Sequence, residues 1–321
     1  MRLAAAILAL FALLAHPAEA RARFLVASAL PESGVTRIFI DRLQAELRTA
    51  WPDQKVELAM AGMLGGETEL LDLLKSGEYE LHLGVLHGAV YYPELDATLV
   101  PFLFPDYPAI ERFLDGPVGR RMADALARRG NAVLLGSYDL GQRWTTASKR
   151  FETVEELHDI KIRMPEIPLW IKIWGGMGAA VVPIAAPDVP AAIRAGTIDA
   201  QENTLSNIFG RRSYQGQAFL IETAHHQSHV SVMAQKGFWH KLLPAQRRLL
   251  QDAVERASDA ATDALRELDR TILDRLVATG MTRVVPRPEF RQKALPVVEK
   301  AARDMLAPGV YEAALAAIEA R

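Results

Sequence analysis

Arg163 has the type and place best suited to recognition chemistry in this sequence. It stands in Lys161-Ile162-Arg163-Met164-Pro165, at the end of what reads as a short strand. Side chains at strand ends in α/β sheets face the ligand crevice. A guanidinium stays charged and presents a planar fork that matches a carboxylate through two parallel bonds. Taken alone, an arginine at such a place reads as a surface ion pair, because lone arginines are mostly solvated.

Catalytic patterns are missing by comparison. There is no P-loop and no G-x-S-x-G elbow. Gly176-Met177-Gly178 resembles the start of a dinucleotide fingerprint, but the third glycine is absent and the string closes a helix instead of opening one. His225-His226-Gln227-Ser228-His229 puts two histidines four apart, yet the flanking residues read as loop and strand. The helical face that a zinc pair needs is therefore lacking, and these histidines read as polar residues near a cleft or surface. Acidic residues are scattered, with no nucleophile–base pair to name. A binding protein without cofactor or metal is expected, not an enzyme.

The whole chain sets the context. Met1-Arg2-Leu3 is followed by an apolar run over 4–14 and closes on Ala18-Glu19-Ala20. That is the order of a cleavable signal peptide, cut after Ala20, and the run is too short for a spanning helix. Export to the periplasm follows as an expectation, with no stable membrane insertion. The chain of 321 residues has no cysteine, so its core alone must hold it together. A net charge of −2 with 24% charged residues gives no field for nucleic acid or anionic membrane.

The elements that must position Arg163 follow from periodicity. Strands are expected at 24–28, 55–60 and 81–85, with helices at 36–50 and 67–75, the latter stopped by Gly77. This β-α-β-α-β rhythm predicts a mainly parallel sheet with covering helices. Residues 101–108 read as a crossover, 109–114 and 118–129 as helices, and 133–136 as a strand. A second α/β unit starts near Leu140, with a strand at 161–164, a helix at 169–177 and a strand beginning at 181–182. Pro187-Asp188-Val189-Pro190 opens a helix that Asp188 can cap. Strands at 219–223 and 230–234 lead back. From Pro244 to Gly280 runs an amphipathic helix of roughly 50 Å, longer than one small lobe, so it leans on both.

One block ties these pieces together. Gly141-Gln142-Arg143-Trp144-Thr145-Thr146, the Arg163 string, Ala195-Gly196-Thr197-Ile198-Asp199-Ala200-Gln201-Glu202-Asn203 and Leu205-Ser206-Asn207 occur in that order. Together they resemble the solute-binding protein of tripartite ATP-independent periplasmic (TRAP) transporters, the C4-dicarboxylate-binding type. The likeness extends to Gly62-Met63-Leu64-Gly65-Gly66-Glu67, to Pro101-Phe102-Leu103-Phe104, to Gly116-Pro117-Val118-Gly119 and to the stretch 239–250, and so covers nearly the whole mature chain.

The resemblance implies an α/β, two-lobed periplasmic binding protein fold with a long helix bracing both lobes and the ligand held between them. Residues 21–140 with about 232–265 would form one lobe, and 141–231 with about 266–321 the other. It implies that Arg163 clamps a carboxylate, with Arg143 and Asn203 beside it, His226 close to the cleft, and Glu67 and Trp144 as further candidates. The implied partners are a small carboxylate and the membrane subunits of the transporter. An exported sensor for a signalling partner is the alternative. Several positions depart from the family pattern. Asp159 and Ala200 stand where glycine is usual, Asp188 where glutamate is usual, and Ala185-Ala186 where larger residues are common. Small residues there would widen the pocket.

Overall fold

The computed structural model describes residues 24–52 and 54–320. The expected signal peptide over 1–20, with its cleavage site, lies outside them.

Phe24–Ala27 forms β1, buried on both faces, as an apolar run inside a parallel sheet must be. The Gly34–Ala50 helix turns Val35, Phe39, Ile40, Leu43 and Leu47 inward, the three-and-four spacing of an amphipathic helix. Val56–Ala59 (β2) and Leu81–Gly84 (β3) flank β1 in parallel. Between them runs the Glu67–Ser76 helix, with Glu67 and Glu69 in its first turn, where the helix dipole favours acids. It ends on Gly77 at φ 90°, a left-handed position that favours glycine.

Ala132–Ala147 is a single strand of 16 residues, β4. It is followed by Lys161–Met164 (β5), Ala180–Pro183 (β6), Ala200–Thr204 (β7), Phe219–Ile221 (β8), Gln227–Gln235 (β9) and Thr282–Val284 (β10). The sheet order is β2-β1-β3-β9-β4-β7-β5-β6, with β8 beside β4 and β10 beside β8. The parallel pairing expected from the β-α-β-α-β rhythm is present among β1, β2 and β3, while the sheet as a whole is mixed. Strands at each end pair in parallel, but β9 and β4 run antiparallel to each other and to β3 and β7. They are traversing strands, not crossover products.

β4 joins the two α/β halves. It pairs with β9 from Ala132 to Gln142 and with β7 from Arg143 to Ala147. Irregularities fall between Leu134 and Gly136 and between Asp139 and Gly141. Such bulges bend a strand and increase its twist. Gly141 sits at φ 90° in the second, where an added Cβ would stand 2.8 Å from Asp269 Oδ2.

Pro244–Ala278 is one helix of 35 residues, about 52 Å long at the standard rise. Leu250, Ala253, Val254 and Ala257 bury with Phe39, Leu43, Val230 and Val232. Further along, Ile272 and Leu276 bury with Trp144, Leu205 and Ile208. One helix thus braces two hydrophobic clusters. The Pro288–Met305 helix packs on the Pro168–Gly176 helix, with Phe290 stacked on Phe151. The Val310–Glu319 helix packs instead on Tyr107–Asp115, and Arg112 Nε donates to the Ala317 carbonyl at 2.8 Å.

The expected cap by Asp188 does not form. A short 3-10 turn, Ala186–Asp188, precedes the Val189–Arg194 helix, and Asp188 is itself in the helical region at φ −87°. An N-cap that accepts from the next turn needs extended geometry. Pro190 does lie in the first turn. Among the described residues no helix is long and apolar enough to cross a membrane.

Candidate binding cleft

The two halves meet over a cleft of about 810 Å³ including its open mouth. Glu67, Arg143, Arg163, Asn203, Asn207, Arg211 and His226 all line it, as do Trp170, Ala185 and Ala186. The walls come together at two places. A Cβ added to Gly62 would lie 2.6 Å from Pro187 Cγ, so the loop before the Glu67–Ser76 helix touches the turn after β6. On another side, Trp170 Nε1 donates to the Leu99 carbonyl at 2.5 Å.

Arg163 comes from β5 and is 2% exposed. Its Nε donates to the Ile184 carbonyl at 2.7 Å, which fixes the plane of the guanidinium. Among the described residues no carboxylate forms an ion pair with it. Burial lowers its pKa to about 9, with Glu202 opposing and Arg143 and Arg211 adding to the decrease. The group stays charged at neutral pH. A desolvated cation without a counter-ion is costly, and a bound anion removes that cost.

Arg143 does a different job. Its Nε donates to Glu202 Oε2 at 2.5 Å and its Nη2 to Oε1 at 2.9 Å and to the Glu202 carbonyl at 3.0 Å. Its guanidinium lies 5.0 Å from the Trp170 ring centroid. Glu202 is fully buried on β7. Burial alone would raise its carboxyl, but the charge of Arg143 and the bonds from His225 and Arg143 outweigh that and hold it well below the usual range. An ionised Glu202 only accepts, so His225 carries its proton on Nε2, 3.0 Å away, and takes a bond from Thr223 at Nδ1.

Asn203 Oδ1 accepts from Thr204 N at 3.0 Å and from Asn207 Nδ2 at 2.9 Å. This leaves the Asn203 Nδ2 group as the donor toward the cleft. His226 is held by Thr98 and Ser228: Nε2 donates to the Thr98 carbonyl at 2.8 Å, and Nδ1 accepts from Ser228 at 3.1 Å. Burial, then Arg143, pushes His226 down to about 3, so the ring is neutral. Both nitrogens of His225 and of His226 are engaged within the protein, which leaves neither free as a metal ligand.

Glu67 Oε1 accepts from Val85 N at 2.7 Å and Leu86 N at 3.2 Å, which ties the helix start to the end of β3. Gly84 permits this, since a Cβ there would stand 2.2 Å from that oxygen.

Trp144 is not in the cleft. Successive strand residues point to opposite faces, so with Arg143 facing the cleft, Trp144 packs behind β4 against Leu205, Ile208 and Ile272. Arg283 lies 5.4 Å from its ring centroid. The aromatic residue beside Arg143 is Trp170, which sequence reading placed only in a helix. Arg211 was missed as well. It follows the Leu205–Gly210 helix, in a turn without periodic signal, and its Nη2 donates to the Ala29 carbonyl across the cleft. Burial pushes its guanidinium down to about 10, with Glu67 opposing.

Two α/β halves joined by long strands, with the Arg163 and Arg211 guanidinium groups lining the gap between them, form the frame of a receptor for an anionic solute. Residues 43–307 match the family model described as bacterial extracellular solute-binding protein, family 7, and the chain belongs to that family. The sialic acid-binding periplasmic protein SiaP of Vibrio cholerae is 23% identical over 248 residues, 77% of each chain. The 2,3-diketo-L-gulonate-binding periplasmic protein YiaO of Escherichia coli is 26% identical over 229 residues, 71% of this chain and 70% of that one. In fold, the chain is similar to the sugar acid binding protein DctPAm of Advenella mimigardefordensis, solved with galactonate. That match has a TM-score of 0.87 and 22% identity, over 92% of this chain and 97% of that one. It is also similar to a TRAP periplasmic solute-binding protein of Shewanella oneidensis with bound succinate, at a TM-score of 0.86 and 22% identity, over 92% and 99%. These are two-lobed binding proteins, and the halves described above are the corresponding lobes.

Proposed function

We propose that this protein is the periplasmic receptor of a TRAP transporter. It captures a small organic acid between its lobes and delivers it to the membrane subunits. The observation that carries this reading is Arg163, buried at the cleft with its guanidinium oriented by Ile184 and without a carboxylate partner among the described residues. Asn203 supplies a second donor, and His226 a neutral wall. Arg143 supports the site indirectly, by holding Glu202 and flanking Trp170. Each charge-assisted bond contributes about 1.5–3 kcal/mol. Two of them supply a large part of the roughly 8 kcal/mol of a micromolar complex.

The lobes divide near Gln142 and Arg143, where β4 changes partners. Residues 24–140, most of β9 and the first half of the long helix make one lobe, joined by the Val310–Glu319 helix through its packing on Tyr107–Asp115. Residues 143–226, the end of the long helix and 282–305 make the other. Relatives that carry acids as different as sialic acid and 2,3-diketo-L-gulonate support the ligand class. Thermal-shift screening of organic acids on the mature protein tests the reading, because a ligand that binds only the native state raises its stability. A shift with one or more acids that disappears in Arg163→Ala is expected. A shift that survives Arg163→Ala would remove the clamp.

A further inference from the structure

Asn203 and Asn207 face the cleft as a pair whose orientation the backbone fixes. The oxygen and nitrogen of an asparagine side chain are told apart by their partners. Thr204 N, which can only donate, stands 3.0 Å from Asn203 Oδ1. Asn207 must then turn its Nδ2 to the same oxygen, at 2.9 Å. Both lone pairs of that oxygen are used. The outer atoms of the pair are therefore Asn203 Nδ2, a donor, and Asn207 Oδ1, an acceptor. Among the described residues neither has a hydrogen-bond partner, and neither is sealed from solvent as the neighbouring Ser206 Oγ is. Both residues line the cleft while only 7% and 5% exposed.

The fold sets this pair beside Arg163. β5 and β7 are adjacent and parallel, with Arg163 opposite Gln201. Arg163 and Asn203 thus stand toward the C-terminal ends of neighbouring strands, where α/β sheets hold their ligands. The Leu205–Gly210 helix starts directly after β7 and carries Asn207 one turn beyond Asn203. A carboxylate held by the Arg163 fork also accepts from Asn203 Nδ2. It cannot satisfy Asn207 Oδ1, because an ionised carboxylate has no proton to donate. Glu67, a second acceptor at the cleft, belongs to the opposite lobe. Its Oε1 is already held by the Val85 and Leu86 amides, with His82 Nε2 at 3.5 Å.

Building on the receptor reading above, we infer that Asn207 selects acids that carry a hydroxyl on the carbon next to the carboxylate. That hydroxyl is the neutral donor closest to the carboxylate oxygens, as Asn207 Oδ1 is the acceptor beside the Asn203 donor. The carboxylate takes Arg163 and Asn203, and the hydroxyl donates to Asn207. An acid without the hydroxyl leaves the Asn207 oxygen unpaired in a narrow, nearly closed site, and a bond left unmade there costs more than a made one gains.

Titration calorimetry on the mature protein tests this with pairs that differ only in the hydroxyl: 2-hydroxybutanoate against butanoate, malate against succinate, and D-gluconate against 2-deoxy-D-gluconate, with both enantiomers of the first two hydroxy acids. In whichever pair binds, the hydroxy acid is expected to bind at least about tenfold more tightly. Asn207→Leu removes the acceptor at similar size, while Thr204 N still orients Asn203. It should close the gap to about threefold or less, by weakening the hydroxy acid alone. Asn207→Ala, a smaller change at the same place, carries the same expectation. Loss of folding support would weaken both acids together and leave their ratio unchanged. Equal affinity within a pair, a ratio unchanged in the Asn207 variants, or binding only of acids outside these pairs overturns the inference and leaves the receptor intact. Acid binding unaffected by Arg163→Ala, or no thermal shift with any organic acid, overturns the receptor reading and this inference with it.

Discussion

Arg143 and Glu202 form a closed two-bond fork between neighbouring strands, at 2.5 and 2.9 Å, with both side chains buried. The arginine most prominent in the Gly141-Gln142-Arg143 string is thus already neutralised by the protein, whereas Arg163 is not. Breaking one member of a buried pair leaves its partner charged and dry. Arg143→Ala is expected to destabilise the fold by about 3–5 kcal/mol in a denaturant titration. Glu202→Gln should cost less, because the amide oxygen still accepts from Arg143. Equal and negligible effects would show that the pair contributes nothing to the fold.

Arg163→Lys separates charge from geometry. Lysine keeps the positive charge but not the planar fork or the bond to the Ile184 carbonyl. Affinity for the acid found by screening should fall by about tenfold or more in calorimetry, while unfolding of the unliganded protein changes little. Retained affinity would mean that point charge alone suffices.

Trp170 and Trp144 offer a paired test of placement. Trp170→Phe removes the 2.5 Å bond to the Leu99 carbonyl that links the walls of the cleft. A neutral hydrogen bond contributes about 1 kcal/mol, so ligand dissociation measured by stopped flow should quicken about fivefold. Trp144→Phe lies behind β4 and should lower the melting temperature without changing ligand affinity.

Asp269 makes stability depend on pH. Burial, then the nearby Asp139, raises its carboxyl to about 7, against about 3.9 in an unfolded chain. The native state therefore keeps a proton that the unfolded state releases. The stability this confers is complete below about pH 4 and is lost as pH rises toward 7. Asp269→Asn mimics the protonated form. It should raise the melting temperature by about 2–4 °C at pH 8, equivalent to about 1 kcal/mol after discounting for partial exposure, and leave it unchanged near pH 4. The same shift at both pH values would place its origin elsewhere.

The amino-acid sequence by itself determined the local elements. Periodicity, Gly77 and the Pro244 start are local signals, and the structure has the helices ending at Ser76 and spanning Pro244–Ala278 accordingly. The order of short motifs determined the family. Tertiary structure decided the rest. Residues 200–204 read Ala-Gln-Glu-Asn-Thr and give no apolar alternation, yet all five are buried as β7, because Thr146, Arg143, His225 and Asn207 satisfy the side chains of Gln201, Glu202 and Asn203 from other elements. Strand alternation sent Trp144 behind the sheet and left Trp170 to take the place beside Arg143. Arg211 enters the cleft only because its turn is carried against Ala29 from the far end of the chain. Which arginine is cancelled and which is free depends on partners tens of residues apart, and that pairing exists only once the lobes are folded.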